Sequence, residues 1–133
     1  MTIIESFCKY METLGVGTLG QDIFIGEAPS SKKAQDSLWW VLDSGGSRLS
    51  INRTGESLKQ YSLNVYYRDI DYKQVAEKMF EFEESISCSN CAQLEGFQVV
   101  EIEVISYPVD QDLDSEDRKV GLLQVNIKTY KSC

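Results

Sequence analysis

The side chain that most often serves as a general base in catalysis is that of histidine, and the chain has no histidine at all. Without an imidazole there is no Ser-His or Cys-His nucleophile pair and no histidine-containing metal site. Carboxylates are plentiful, but no two of them stand out in apolar surroundings that would raise one pKa for acid–base work. A P-loop and a G-x-S-x-G turn are also missing from the sequence. The sequence therefore predicts a protein that is not an enzyme.

One glycine-rich segment, Gly15 to Gly20, matches the dinucleotide fingerprint G-x-G-x-x-G letter for letter. In that fingerprint a strand precedes the glycines and a helix follows them, so that the N-terminus of the helix receives the pyrophosphate. Here the surrounding pattern predicts a helix before the glycines and a strand after them. The segment is therefore interpreted as a helix-to-strand connection, and no cofactor is expected.

A run of alternating acids resembles the start of an EF-hand calcium loop. Its members are Asp110, Asp112, Asp114 and Glu116. The sixth position holds Ser115 where the loop needs glycine, and the twelfth holds Gly121 where it needs a bidentate glutamate. Because the flanking segments also have strand patterns, a dedicated calcium site is not predicted.

The four cysteines, Cys8, Cys88, Cys91 and Cys133, are too scattered to form an evident disulfide framework. Cys88 and Cys91 form one C-x-x-C pair, but there is no second pair to complete a four-cysteine zinc site. The pair also follows a predicted helix, whereas a redox pair begins one. The favoured interpretation is a reduced structural turn, or a disulfide that forms incidentally after cell lysis, with no metal bound.

Length and charge limit the class of protein further. The 133 residues suit one domain spanning residues 1–133, and 21 acidic against 13 basic residues give a net charge of −8. A chain with this net negative charge does not attract nucleic acid or anionic membranes by long-range electrostatics. It also has no apolar run long enough to cross a bilayer and no signal-peptide pattern at its start, so synthesis in a cytosol is expected.

Two amphipathic segments predict helices. The first, Thr2 to Leu14, has apolar residues at helical spacing, a capping-box pattern of Thr2 with Glu5, and Gly15 just past its end. The second starts at Asp71. Its predicted buried face consists of Val75, Met79, Phe82 and Ile86, reinforced by Ala76 and Phe80.

Five segments have strand patterns: Gln21 to Gly26, Ser37 to Asp43, Leu58 to Arg68, Phe97 to Tyr107 and Val120 to Tyr130. The segment from Arg48 to Glu56 is either a loop or a continuation of a strand. The order is helix, three strands, helix, two strands. This order predicts an α+β fold of two layers, a mostly antiparallel sheet with both helices packed on one face.

Adjacent large residues on the predicted strands must point to opposite faces of the sheet. Trp39 with Trp40, and Tyr66 with Tyr67, are such pairs. Because the helices cover only one face, the other face should display aromatic side chains. Either loops and chain termini cover that face, or it is a protein interface.

The acidic segment from Asp110 to Asp117 holds five carboxylates and no basic residue, and it lies between two predicted strands. The simplest interpretation is a solvated hairpin tip. The alternative is functional: in a ring of subunits such tips would line a channel through which DNA slides without sticking.

Several phrases of the sequence together resemble a known family. They run from Thr18 to Ser31 (TLGQDIFIGEAPSS), through Leu38-Trp39-Trp40 and Ser44-Gly45-Gly46, to Gln60–Arg68 (QYSLNVYYR), followed by the helix from Tyr72 to Ile86. In these phrases, and in length and element order, the chain resembles the tail terminator (minor capsid) proteins of long-tailed bacteriophages. The phrases consist of structural residues and not of a catalytic signature.

The resemblance implies a non-enzymatic virion protein of the tail or neck, assembled in the host cytoplasm. Such proteins form a ring, expected to be a hexamer, that caps the tail tube, stops its polymerisation and offers a surface to the head connector. The expected partners are further copies of the chain, the tail tube protein and the head connector or neck protein. DNA would only pass through the lumen without specific binding, and no membrane is expected as a partner.

By the same analogy, the lumen would be lined by Asp110, Asp112, Asp114, Glu116 and Asp117. The subunit or tail interface would include Trp39, Trp40, Tyr66, Lys32 and Lys33. Two alternatives remain open: a head-completion or connector ring protein of the neck, and a small cytosolic adaptor or redox protein that uses Cys88 and Cys91.

Overall fold

In a computed structural model of the chain, two helices and five strands follow one another in the predicted order. They are α1 (Ile3–Thr13), β1 (Ile23–Ile25), β2 (Leu38–Ile51), β3 (Glu56–Asp69), α2 (Tyr72–Ser87), β4 (Gln98–Gln111) and β5 (Lys119–Ser132). The structure describes residues 2–26, 37–51, 56–69, 71–87, 94, 96–111 and 119–132.

Both ends of α1 are closed as the sequence predicts. The Thr2 hydroxyl accepts a hydrogen bond from the Glu5 amide at 3.2 Å, which satisfies one of the free N–H groups at the start of the helix. At the other end Gly15 takes a left-handed φ of 82°. The Gly15 amide donates to the Glu12 carbonyl, and the Val16 amide donates to the Met11 carbonyl. These two hydrogen bonds form a Schellman motif. These caps fix where the helix stops and where the glycine-rich connection begins.

The sheet has the strand order β1-β2-β3-β5-β4. The short β1 pairs in parallel with β2, and the other neighbouring strands are antiparallel. Side chains of both helices share one buried core with inward-facing residues of the sheet, such as Val41, Val65 and Val125. The predicted α+β fold, with two helices on one face of a mostly antiparallel sheet, is confirmed.

The two long hairpins turn at opposite ends of this sheet. Asp69 of β3 pairs with Lys119, so β5 begins where β3 ends. At the other end Glu56 pairs with Ser132. The segment joining β4 to β5 therefore leaves the sheet at the Asp69 end, and the segment joining β2 to β3 leaves it at the Glu56 end.

Strand β2 runs further than predicted. The sequence indicates a stop at Ser44-Gly45-Gly46, but the strand continues to Ile51, so the undecided segment after Arg48 is a strand as far as the described residues extend. A register shift between Asp43 and Gly45 absorbs Ser44 as an extra residue. Gly45 has a φ of 116°, and its amide donates to Asp43 Oδ1 at 2.8 Å. The glycine therefore forms a bulge within the strand instead of a turn.

Strand β4 also extends past its predicted end at Tyr107, to Gln111. Pro108 follows the predicted end, and proline cannot donate to a sheet ladder. However, β4 is an edge strand, and a register shift between Ser106 and Val109 leaves Pro108 outside the paired positions. Asp110 consequently lies in the strand opposite Gly121, not in the loop.

The buried face of α2 is narrower than predicted. Val75, Met79 and Phe82 are buried, but Phe80 is 59% exposed and Ala76 is also exposed. These two residues lie about 100° around the helix from the buried row, which is enough to turn them away from a flat sheet. The inclusion of Ala76 and Phe80 in the core was wrong.

Candidate interaction surfaces

The adjacent tryptophans of β2 lie on opposite faces of the sheet, as their positions predict. Trp39 is only 3% exposed. Its ring lies 5.1 Å from that of Phe82 on α2 and 4.6 Å from that of Tyr67 on β3, between ring centroids. Trp39 is therefore a core residue that joins the sheet to α2, and of the two tryptophans only Trp40 is placed on the open face.

Among the described side chains of the open face, opposite the helices, large apolar groups form a row. Trp40 pairs in register with Tyr66, and their rings are stacked 5.2 Å apart at an angle of 5°. The register extends the row to Phe24 of β1 on one side and Leu122 of β5 on the other. Trp40, Tyr66 and Leu122 are half-buried, whereas Phe24 is only 6% exposed. This outer aromatic row (Phe24, Trp40, Tyr66, Leu122) is an apolar strip across four strands.

The neighbouring part of the open face is polar. The Ser62 hydroxyl donates to Asn126 Oδ1 at 2.6 Å, and Lys128 Nζ lies 3.4 Å from Glu101 Oε2. Sequence reasoning predicted aromatic side chains on this face without limiting them to one region. Among the described side chains, the apolar row is therefore bordered by polar pairs.

Of the predicted lumen residues, the structure describes the backbone of Asp110 alone. Asp112, Asp114, Glu116 and Asp117 lie outside the described residues, as do Lys32 and Lys33 of the predicted interface. The flanking strands confirm that the acidic segment connects two strands and not two helices. It leaves the sheet at the end where Asp69 and Asp71 also lie.

The opposite end of the sheet carries basic residue types, which sequence reasoning missed. Arg48 of β2 pairs directly with Lys59 of β3. On β5, Lys128 pairs with Gln60 and Lys131 with Ser57. In the sequence these four residues are spread over more than eighty positions, so only the register of three strands brings them to one end.

A hydrogen-bonded group links β2, β3 and the start of α2 at the Asp69 end. Tyr67 Oη donates to Asp69 Oδ2 at 2.9 Å, and Ser37 Oγ donates to the same oxygen at 3.0 Å. Asp69 Oδ1 also accepts from the Asp71 amide at 3.3 Å. Burial is the main cause that raises the pKa of Tyr67 to about 12; the hydrogen bond with Ser37 lowers this pKa in part, and the hydrogen bond and charge of Asp69 raise it. The phenol therefore remains protonated at neutral pH and holds the strand end in place.

At two central positions of the glycine-rich connection, the backbone amide is already hydrogen-bonded to a carboxylate and cannot donate to a phosphate. The Thr18 amide donates to Asp22 Oδ2 at 3.2 Å, and the Leu19 amide donates to Glu12 Oε2 at 3.0 Å. The helix precedes the glycines and the strand follows them, as predicted. Carboxylates already occupy the positions that an anionic ligand would need.

Cys8 is a core thiol of α1. It has no exposed surface, and burial, with a smaller contribution from the Glu12 charge, raises its pKa to about 12. A thiol with so high a pKa is a poor nucleophile and a poor metal ligand at neutral pH. Cys88, Cys91 and Cys133 lie outside the described residues, where the predicted C-x-x-C turn also falls.

No helix in the described part of the chain is long and apolar enough to cross a membrane. Within the same residues, no three histidine, cysteine, aspartate or glutamate side chains come close enough together to hold a metal ion.

No protein-family model matches this sequence, and no curated protein matches it. Solved structures do match it, and one of them is the virion of a native gene transfer agent (GTA) particle. A chain of that particle has a TM-score of 0.60 with this one, over 92% of each chain and with 8% of residues identical. At so low an identity the likeness establishes a shared fold, over nearly the whole length of both chains.

Proposed function

We propose that this protein is a structural component of a phage-like virion, without enzymatic activity. The observation that carries the proposal is the fold, which is shared over 92% of both chains with a chain of the gene transfer agent virion. Because both chains are covered almost completely, the likeness extends to the whole arrangement of helices and strands and is not confined to a common submotif. A virion protein acts through its surfaces, and the open face of the sheet offers a row of large apolar side chains.

Within the virion, we propose that the protein is the tail terminator. The sequence phrases that resemble that family include the residues of the β2–β3 pair, Leu38-Trp39-Trp40 and Gln60 to Arg68. In the fold, these phrases supply Trp39 to the core and the stacked Trp40 and Tyr66 to the open face. The protein would form a ring, expected to be hexameric, on the last ring of the tail tube.

The surfaces have separate roles in this proposal. The outer aromatic row is an anchor for the tail tube protein or the neighbouring subunit, since aromatic side chains are favoured at the centres of interfaces. The acidic segment after Asp110 borders the lumen, where negative charge would repel the phosphates of passing DNA. The surface away from the tail would receive the head connector.

The test is the length of tails assembled without this protein. We expect tails of irregular and excessive length, because nothing would stop the polymerisation of the tube. Adding back the purified protein should restore a uniform length. A variant with Trp40→Ala and Tyr66→Ala should restore it less well, while Phe80→Ala, which removes an exposed ring elsewhere, should act like the unmodified protein. Tails of normal, uniform length in its absence would contradict the proposal.

A head-completion or connector ring protein of the neck is the second candidate, because the shared fold points to a virion without specifying the joint. The two candidates differ in what the protein accompanies. A tail terminator copurifies with isolated tails, whereas a head-completion protein copurifies with tailless heads filled with DNA.

A further inference from the structure

The outer side of α2 carries a large apolar side chain that the subunit itself does not bury. Within the described residues, the exposed large apolar side chains are Phe80, at 59%, and Ile25, at 43%. Ala76, four positions before Phe80, is also exposed and lies on the same side of the helix. Single exposed rings are common on protein surfaces, so the groups around Phe80 decide what it can contact.

Acidic side chains surround this ring. On a helix, the neighbours of a residue are those three and four positions away, which for Phe80 are Ala76, Glu77, Glu83 and Glu84. Glu77 lies 4.0 Å from Lys73, but both side chains are more than half exposed, so this ion pair is weak. Glu83 and Glu84 form no ion pair with a described residue.

The positions of Glu83 and Glu84 are also unfavourable within the subunit. Glu84 lies in the last turn of α2, which ends at Ser87, and Glu83 immediately precedes that turn. The C-terminal end of a helix carries a partial negative charge, so carboxylates there reduce stability and cations increase it. The last turn of α2 contains no basic residue. Positive charge brought by another molecule would therefore be favourable here.

These four residues (Ala76, Phe80, Glu83 and Glu84, the α2 patch) lie on the opposite side of the subunit from the outer aromatic row. The buried side of α2 packs on the face of the sheet that carries Trp39, whereas the row lies on the open face. The tail terminator function requires contacts with two different neighbours. The two surfaces can serve these neighbours separately.

We propose that the α2 patch docks on a basic protein surface at the tail-facing end of the head, with an apolar pocket that receives the Phe80 ring. The inference rests on the tail terminator function proposed above and adds the surface and the chemistry of its head-side contact. Charge complementarity carries the choice of partner, because acids around an apolar anchor match a pocket rimmed by lysine or arginine.

Other occupants of the α2 patch fit its charge less well. A second copy of the chain has a net charge of −8, which opposes its approach to an acidic surface. Duplex DNA and anionic membranes are negative as well. Docking of a second copy is therefore the alternative that the experiment must separate.

The test joins DNA-filled heads, purified without tails, to tails that carry either the unmodified protein or a variant of it. Electron microscopy counts the joined particles over time, at a limiting concentration of heads and at low and high salt. Phe80→Ala should lower the joining rate at least about tenfold, because it removes the anchor of the contact. Glu84→Lys should lower it by a similar factor and make the remaining rate less dependent on salt, because it reverses a charge that attracts the partner.

Two matched controls make the same chemical changes away from the α2 patch. Ile25→Ala shortens an exposed apolar side chain at the end of β1, and Glu103→Lys reverses an exposed charge on the open face of the sheet. Both should join heads within about twofold of the unmodified rate. In urea, Glu84→Lys should be at least as stable as the unmodified protein, because a cation is favourable in the last turn of a helix. A folding defect would instead lower stability and joining together.

Three results would overturn the inference: equal joining by Phe80→Ala and Ile25→Ala, equal joining by Glu84→Lys and Glu103→Lys, or an unmodified joining rate that does not fall with salt. A smaller ring mass for Phe80→Ala, measured by light scattering, would assign the patch to a second copy and would also overturn it.

Tail length, measured on the same particles, keeps this inference distinct from the terminator proposal. Uniform tails that carry Phe80→Ala and fail to join heads would support both. Uniform tails assembled without the protein would contradict the terminator proposal, whatever the joining rates. Irregular tails with Phe80→Ala would show that the patch serves the tail, which would overturn the head-side assignment alone.

Discussion

Two phenylalanines on α2, two positions apart, provide a controlled test of how the helix is attached to the sheet. Phe82 is 1% exposed, and its ring lies 5.1 Å from that of Trp39 on the sheet and 6.4 Å from that of Phe7 on α1. It is thus a contact shared by both helices and the sheet. Phe80 is 59% exposed. The variants Phe82→Ala and Phe80→Ala make the same chemical change in the same helix.

The expected losses follow from burial. A fully buried phenylalanine replaced by alanine costs about 3–5 kcal/mol of unfolding free energy, from lost apolar burial and from the cavity left behind. The Trp39 and Phe7 ring contacts place Phe82→Ala in that range. For Phe80→Ala we expect a change within about 0.5 kcal/mol, because little surface is lost and alanine is the better helix former.

Equilibrium urea unfolding followed by far-ultraviolet circular dichroism measures both changes. Circular dichroism is preferred to tryptophan fluorescence because Phe82 contacts Trp39 and its removal would alter the emission directly. Equal destabilisation by the two variants, or a loss of less than about 1 kcal/mol for Phe82→Ala, would refute the packing of α2 against Trp39 and Phe7.

Three further predictions concern single groups. With the other three cysteines replaced by serine, Cys8 should react with a maleimide at pH 8 only after unfolding, because burial raises its pKa to about 12; rapid labelling of the folded protein would contradict this. The pKa of Tyr67 is about 12 in the folded protein against 10 for the free side chain. The resulting contribution to stability is therefore fully present below pH 10 and is lost as the pH rises toward 12. Urea unfolding should therefore show a steeper loss over that interval than in Tyr67→Phe, which also lacks the bond to Asp69, and identical slopes would contradict it. Gly121→Val should cost about 1–3 kcal/mol in the same assay, because a Cβ there would lie 2.9 Å from Met79 Cγ; an unchanged midpoint would show that α2 is not so close to β5.

The order of the elements was predictable because local signals mark it. Thr2 with Glu5 and then Gly15 bound the first helix, and the alternation from Tyr61 to Tyr67 identifies the central strand. The ends of β2 and β4 were not predictable in the same way. Gly45 and Pro108 usually stop strands, and only the pairing partners and the edge position of β4 show that the strands continue.

The candidate surfaces were predictable only in part, for a similar reason. Alternation alone places Trp39 and Trp40 on opposite faces, and the structure agrees. The stack of Trp40 on Tyr66 depends on the register between strands, which the sequence does not specify. The pairing of Arg48 with Lys59 depends on the same register, because the two residues belong to different strands and the sequence predicts β2 only in part.

The central claim is that this chain forms a ring at the head-proximal end of a tail, and electron cryomicroscopy of isolated tails tests it most directly. The account predicts a terminal ring, distinct from the tube below it, whose density fits copies of a five-stranded sheet with two helices on one face. The chain found instead in the shell of the head, along the tube, or in no part of the particle would contradict the account.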